Sequence, residues 1–157
     1  MNPFHWIATF FYLGKIPHLG TSLATIVGII LTIILRDYIS EPFVIITMIA
    51  LFFIGLISSY HYLTTGGGSQ EIVIDEIVGV MVVLVLAQLV GYAPETKTYI
   101  AAFIAFRIFD GVKLWPIDLI EQGGEGAFLS MIDDVISGVY AFAGMAMMLF
   151  FYNALLG

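Results

Sequence analysis

Residues 43–63 form an uninterrupted apolar run that ends in Tyr60-His61-Tyr62, and Pro42 stands ahead of it where a helix tolerates proline best. Aromatic and histidine tips of this kind sit well at a membrane interface. Residues 21–35 are also apolar, with Gly14, Pro17 and Gly20 before them and Arg36-Asp37 closing them, so a short or bent entry is expected here. Three further runs differ from these in carrying charge. Residues 72–92 hold Asp75-Glu76 in their first two turns, residues 98–113 are apolar until Arg107, Asp110 and Lys113, and residues 132–156 open with Asp133-Asp134. Since about 20 apolar residues cross the hydrocarbon of a bilayer, the pattern predicts about five membrane helices, some short or bent.

The connections read as turns. Residues 64–70 are polar and glycine-rich but lack the Gly-Lys-Ser/Thr ending of a nucleotide-binding loop, so they are expected to form a flexible loop. Residues 91–97, with Pro94, make a short link. Residues 114–131 form a polar loop containing Trp115-Pro116, Asp118, Glu121, Gly123-Gly124 and Glu125. The first 20 residues lack a basic region before residues 4–13 and a small-residue cleavage site, which argues against a removable signal peptide. With Trp6 and Tyr12 they read as an interfacial segment.

Composition turns this pattern into a class. Of 157 residues, 61% are hydrophobic and only 11% charged, far from a soluble domain's usual balance of about 25% charged. The expectation is an all-α polytopic membrane protein with one membrane domain over 1–157, an interfacial segment at 1–20 and a helical bundle at 21–156. Cysteine is absent, which removes disulfides, thiolate nucleophiles and cysteine metal sites. A net charge of -7 with no basic patch excludes nucleic acid as a partner.

Five crossings would place the 64–71 and 114–131 loops on one side and the 36–42 and 92–97 loops on the other. The charged ends of the third, fourth and fifth segments then share one side and one depth. Asp75, Glu76, Arg107, Asp110, Lys113, Asp133 and Asp134 are thereby expected to meet, and ionisable groups inside membrane segments mark function by default. Read singly, Asp75-Glu76 and Asp133-Asp134 could cap helix starts, yet two adjacent acids at each start exceed what capping requires. Each pair is followed one turn later by a small residue, Gly79 and Gly138, which would let helices approach closely.

Carboxylates without cysteine, and with only His5, His18 and His61 in the chain, select a hard cation such as Mg²⁺. His18 and His61 read as interfacial tips instead of ligands. Arg107 can clamp a phosphate bidentately and Lys113 can act as a point charge beside it. Acids for a metal and cations for oxyanions together describe phosphoryl chemistry.

The chain resembles the phosphatidylglycerophosphatase A family from about Pro17 to Gly138. The resemblance rests on Gly20-Thr21, Asp75-Glu76-Ile77-Val78-Gly79, Phe106-Arg107-Ile108-Phe109-Asp110, Lys113, Trp115-Pro116-Ile117, Gly123-Gly124, and Asp133-Asp134-Val135 with Gly138. It implies a Mg²⁺-dependent phosphatase of the bacterial inner membrane. Such an enzyme converts the anionic phospholipid phosphatidylglycerophosphate to phosphatidylglycerol at the cytoplasmic face. Leu19 and Leu114 stand where the family usually has proline, and the stretch from Gly123-Gly124 to Asp133-Asp134 is longer than usual.

On this reading Asp75, Glu76, Asp110, Asp133 and Asp134 are candidate metal ligands, and Glu76 and Asp134 candidate catalytic acids or bases. Arg107 and Lys113 hold the phosphate, and Thr21 hydrogen-bonds it or the headgroup. Attack by water and an aspartyl-phosphate route both fit these residues. Competing readings are an acidic-lined divalent cation carrier and a lipid phosphatase or phosphotransferase with another headgroup. The carrier has no use for Arg107 and Lys113. A CDP-alcohol phosphotransferase needs Asp-x-x-Asp-Gly, where this chain has Arg107 in the first position.

Overall fold

A computed structural model of the chain describes residues 2–17, 19–112 and 126–156. Among them there are helices and turns and no strand. The short helix α1 (Pro3–Ala8) begins with the Asn2 side chain accepting from the Phe4 N–H at 3.1 Å, which satisfies a free first-turn donor. It is followed by a 3₁₀ turn at Leu13–Lys15 and then α2 (Gly20–Tyr38) and α3 (Glu41–Thr64). A second 3₁₀ turn at Ser69–Glu71 leads into α4 (Ile74–Leu89), which is followed by α5 (Thr96–Val112) and α6 (Ala127–Leu156).

Helices α2, α3 and α6 are long and apolar enough to cross a membrane. Their outward residues, among them Ile30 on α2, Phe43, Ile46 and Ile57 on α3, and Phe150 on α6, are large, apolar and exposed. A continuous outward hydrophobic surface of this size suits lipid, whereas water would penalise it. At 16 residues, α4 is shorter than the expected span of 72–92, whereas α5 fills the expected 98–113 up to the last described residue, Val112. The rise of an α-helix gives α4 about 24 Å, less than the roughly 30 Å of a hydrocarbon core.

The position of α4 lets a helix this short stay inside the bundle. All of its residues except Leu86, Gln88 and Leu89 are buried, because α2, α3, α5 and α6 surround it. It contributes to both apolar clusters, Val80, Val83 and Leu84 to one with Phe106 and Met145, and Ile74, Ile77 and Met81 to the other with Met131. A helix sheathed by protein reads as continuously apolar with little amphipathicity.

Small residues set how closely its neighbours come. A Cβ on Gly79 would stand 2.7 Å from the Asp134 carbonyl oxygen and 2.7 Å from the Phe106 ring, and one on Gly138 would overlap the Gly79 carbonyl. On α2, a Cβ on Gly28 would lie 3.0 Å from the Ile77 carbonyl oxygen. Backbone therefore meets backbone on two sides of α4, and on the α6 side the contact is the close approach expected of Gly79 and Gly138.

The start of α6 moves from its expected place. Residues 127–131, assigned by pattern to the polar loop, form the first turn of α6, so Asp133 is its seventh residue and not its first. The stretch 64–71 is a connection that ends in the 3₁₀ turn, with Gly67 against the Tyr62 ring and a hydrogen bond from the Gly67 N–H to the Tyr62 carbonyl at 3.0 Å. His18, Lys113, Leu114, Trp115-Pro116, Asp118, Glu121, Gly123-Gly124 and Glu125 lie outside the described residues.

Candidate active site

The start of α2, the first turn of α4, the last turns of α5 and the second turn of α6 meet at one end of the bundle. Asp75 and Glu76 on α4, and Asp133 and Asp134 on α6, are all at least nine-tenths buried. Carboxylates are costly to bury, so each needs partners. Asp75 accepts from the Glu76 backbone N–H at 2.9 Å through one oxygen and from the Ser130 hydroxyl through the other. Glu76 Oε2 lies 3.3 Å from Arg107 Nη1 and accepts from Thr25 Oγ1 at 3.4 Å.

Arg107 is the hub of this arrangement. Its Nη1 also lies 3.1 Å from Asp110 Oδ2, one turn on along α5, and its Nη2 donates to Thr21 Oγ1 at 3.2 Å. One guanidinium thus joins α2, α4 and α5, which its planar fork of donors allows and a lysine's ammonium would not. Asp134 stands within electrostatic range of Asp75, Glu76, Asp110 and Asp133. Five acids therefore converge at the described end of the bundle.

Asp133 and Asp134 lie beyond the first turn of α6, where no free helix N–H remains to be capped. Capping consequently explains Asp75 in part and the α6 pair not at all. Ser137, one turn past Asp133, is fully buried with its hydroxyl unpartnered among the described residues. An orphaned hydroxyl beside clustered carboxylates, all of them hard oxygen donors, fits a site that takes a hydrated or oxygen-ligated dication. As the side chains stand, no three acids or histidines among the described residues form a ready-made cage.

Beside this cluster a cavity of about 290 Å³ is lined by Gly14, Lys15, Ile16, Pro17, Gly20, Thr21, Gln70 and Glu71. Lys15 Nζ stands 3.5 Å from Glu71 Oε2, and the Tyr62 hydroxyl donates to the same oxygen. That hydroxyl, foremost, and the Lys15 ammonium hold the Glu71 carboxyl below its usual range, while partial burial opposes them.

Of the residues expected from sequence, the structure brings together Thr21, Asp75, Glu76, Arg107, Asp110 and Asp134, with Asp133 beside its neighbour on α6. Lys113 is outside the described residues. His5 and His61 are elsewhere, the first bonded to Thr65 Oγ1 at 2.9 Å and the second against the Phe4 ring. Sequence reasoning missed Thr25 and Ser130. Thr25 sits one turn past Thr21 on the same helical face, a signal that was available. Ser130 was hidden because α6 was expected to start after it.

Fold and site define a helical protein with three helices long and apolar enough to cross a membrane and a buried carboxylate cluster in which one arginine pairs with Glu76 and Asp110. The sequence matches the family described as phosphatidylglycerophosphatase A over residues 6–149. It is 31% identical over 143 residues to the "Phosphatidylglycerophosphatase A" of Haemophilus influenzae, covering 90% of this chain and 85% of that protein. It is also 39% identical over 83 residues to the "Putative phosphatidylinositol-3-phosphatase" of Bacteroides thetaiotaomicron, covering 49% of this chain and 46% of that protein. No solved structure matches the chain. The chain belongs to the phosphatidylglycerophosphatase A family, and is an enzyme of that kind, a hydrolase of phosphoric monoesters.

Proposed function

We propose that the protein removes the terminal phosphate of phosphatidylglycerophosphate, giving phosphatidylglycerol and inorganic phosphate in phospholipid biosynthesis, and that it requires Mg²⁺. The observation that carries the reading is Arg107, which faces a carboxylate cluster while its second nitrogen is presented at the mouth of α2 beside Thr21. Carboxylates alone would repel a phosphate. A dication held by Asp75, Glu76, Asp110, Asp133 and Asp134 offsets that repulsion and, when bound, withdraws charge from the phosphoryl oxygens.

Arg107 and Lys113 bind the phosphate oxygens and stabilise the negative charge that develops on them. Thr21 donates its hydroxyl to the phosphate or to the adjoining headgroup. Glu76 and Asp134 accept or return a proton in this reading, and the hydrogen bonds of Thr25 and Arg107 to Glu76 Oε2 support the role of Glu76. Burial keeps bulk water from these groups, which strengthens each charge interaction at the reacting phosphate.

The same reading takes all five segments as crossing the membrane, with α4 shielded from lipid along most of its length and α5 turning Ile100, Ile104 and Ile108 outward. The site then lies at the cytoplasmic face of a bacterial inner membrane, where an anionic lipid headgroup reaches it without leaving the bilayer. The test is phosphate release by purified protein from phosphatidylglycerophosphate, phosphatidate and lysophosphatidate in Mg²⁺. Release from the first at well above the rate for the others supports the proposal, and movement of divalent ions across liposomes without phosphate release overturns it.

A further inference from the structure

Phe10, Phe11 and Tyr12 hold φ values of 40°, 55° and 67°, three successive non-glycine residues in the left-handed region. Each such residue is strained, so a run of three persists only where its surroundings enforce it. Here the Phe11 N–H bonds the Trp6 carbonyl at 2.7 Å and the Gly14 N–H bonds the Thr9 carbonyl at 3.1 Å. Thr9 Oγ1 accepts from the Tyr12 N–H at 3.1 Å, and Trp6 Nε1 donates to the Tyr12 hydroxyl at 2.9 Å. The turn reverses the chain after α1 and sets Gly14 directly on the Glu71 backbone, where a Cβ would overlap the carbonyl. Lys15 is thereby fixed on the wall of the 290 Å³ cavity.

That cavity shares a wall with the phosphate site. Thr21 lines it, and the Thr21 hydroxyl is the group that bonds Arg107. The Lys15 side chain is 46% exposed, and its ion pair to Glu71 is long at 3.5 Å. Glu71 has a second donor in the Tyr62 hydroxyl, so its carboxylate stays partnered when Lys15 turns toward a ligand. Lys15 shares the cavity wall with Thr21, and Thr21 bonds the Arg107 guanidinium, so two cations are linked through one hydroxyl.

We propose that Lys15, with Thr21 and the cavity between the two 3₁₀ turns, binds the phosphodiester of the lipid headgroup while Arg107 binds the terminal phosphomonoester. Lys15 is then a specificity-determining residue that selects lipids carrying both phosphates over lipids carrying one. The proposal rests on the phosphatase reading above, so its test includes a measurement that needs no turnover.

Short-chain phosphatidylglycerol, which carries the diester alone, is titrated calorimetrically against the intact protein and its Lys15→Ala and Lys15→Arg variants in detergent. Because a charge-assisted hydrogen bond is lost, Lys15→Ala is expected to weaken this binding about tenfold, with Lys15→Arg near the parent. In turnover, Lys15→Ala is expected to lower kcat/KM for phosphatidylglycerophosphate about tenfold through KM, and to change kcat/KM for phosphatidate less than twofold. Weakened binding in a protein that hydrolyses neither lipid would keep the subsite and sink the phosphatase reading. Unchanged diester binding in Lys15→Ala, or an equal loss on both lipids with a lowered Tm, would overturn the subsite and leave a structural ion pair.

Discussion

The Thr21 hydroxyl, at the start of α2, lies 3.2 Å from Nη2 of Arg107 near the end of α5, a contact across 86 positions of sequence. The other terminal nitrogen of the same guanidinium is shared by Glu76 at 3.3 Å and Asp110 at 3.1 Å. Three helices thus fix the plane of one side chain. Arg107→Ala removes the phosphate clamp and leaves Glu76 and Asp110 without their cation, and about a hundredfold loss of phosphate release is expected. Arg107→Lys should recover only a small part, since a point charge cannot serve Thr21 and both acids together. A lysine variant with parental kcat/KM would show that the fork is not used.

Asp134 sits among four other carboxylates and past the reach of the α6 terminus. If its charge serves the bound dication, Asp134→Asn should lower phosphate release about a hundredfold and raise the Mg²⁺ concentration needed for half-maximal activity. Removing one buried like charge should at the same time leave the Tm unchanged or higher. A lower Tm with unchanged Mg²⁺ dependence would assign Asp134 to the scaffold.

At the seam of α4 and α6, a Cβ on Gly138 meets the backbone carbonyl of Gly79, which cannot swing aside as a side chain would. Gly138→Ala should therefore destabilise the protein by about 1–3 kcal/mol and reduce activity, because the acid pairs lie one turn from that contact. Thermal unfolding in detergent reads the first effect and phosphate release the second. An alanine variant with parental Tm would mean that the two helices are not in backbone contact.

Glu71 supplies a pH test outside the membrane segments. Its folded-state pKa lies below the ordinary 4.5, chiefly through the Tyr62 hydroxyl and secondarily through Lys15. A carboxyl with a depressed folded pKa contributes stability that is present above the unfolded value and disappears as pH falls through the folded one. The Tm advantage of the parent over Glu71→Gln should accordingly be full at neutral pH and shrink below pH 4.5. An advantage that persisted unchanged in acid would show that the carboxylate's charge is not what holds the turn.

Much of this was legible in the chain. Apolar runs with charges at alternate ends gave the helices and the shared end, and Gly79 and Gly138 announced the close approach of α4 and α6. The start of α6 was not legible, because residues 127–131 read as a continuation of a polar, glycine-rich connection until Ala127 is seen to open a helix. That displacement hid Ser130. The left-handed turn at Phe10–Tyr12 was equally hidden, since aromatic residues carry no local preference for it and only its hydrogen bonds with Trp6 and Thr9 enforce it. The near-complete burial of α4 follows from its neighbours, whereas its end is written in the chain, where Gly91 at φ 88° and the Tyr92 N–H bonded to the Ala87 carbonyl at 2.9 Å close the helix.

The most direct measurement is phosphate release from phosphatidylglycerophosphate by the purified protein, with Mg²⁺ and then with excess chelator, in the parent and in Arg107→Ala. The account predicts release in Mg²⁺, its loss on chelation, its return when Mg²⁺ is restored, and about a hundredfold less in the variant whenever Mg²⁺ is present. Release that continued undiminished in chelator, or an Arg107→Ala protein as active as its parent, would contradict it.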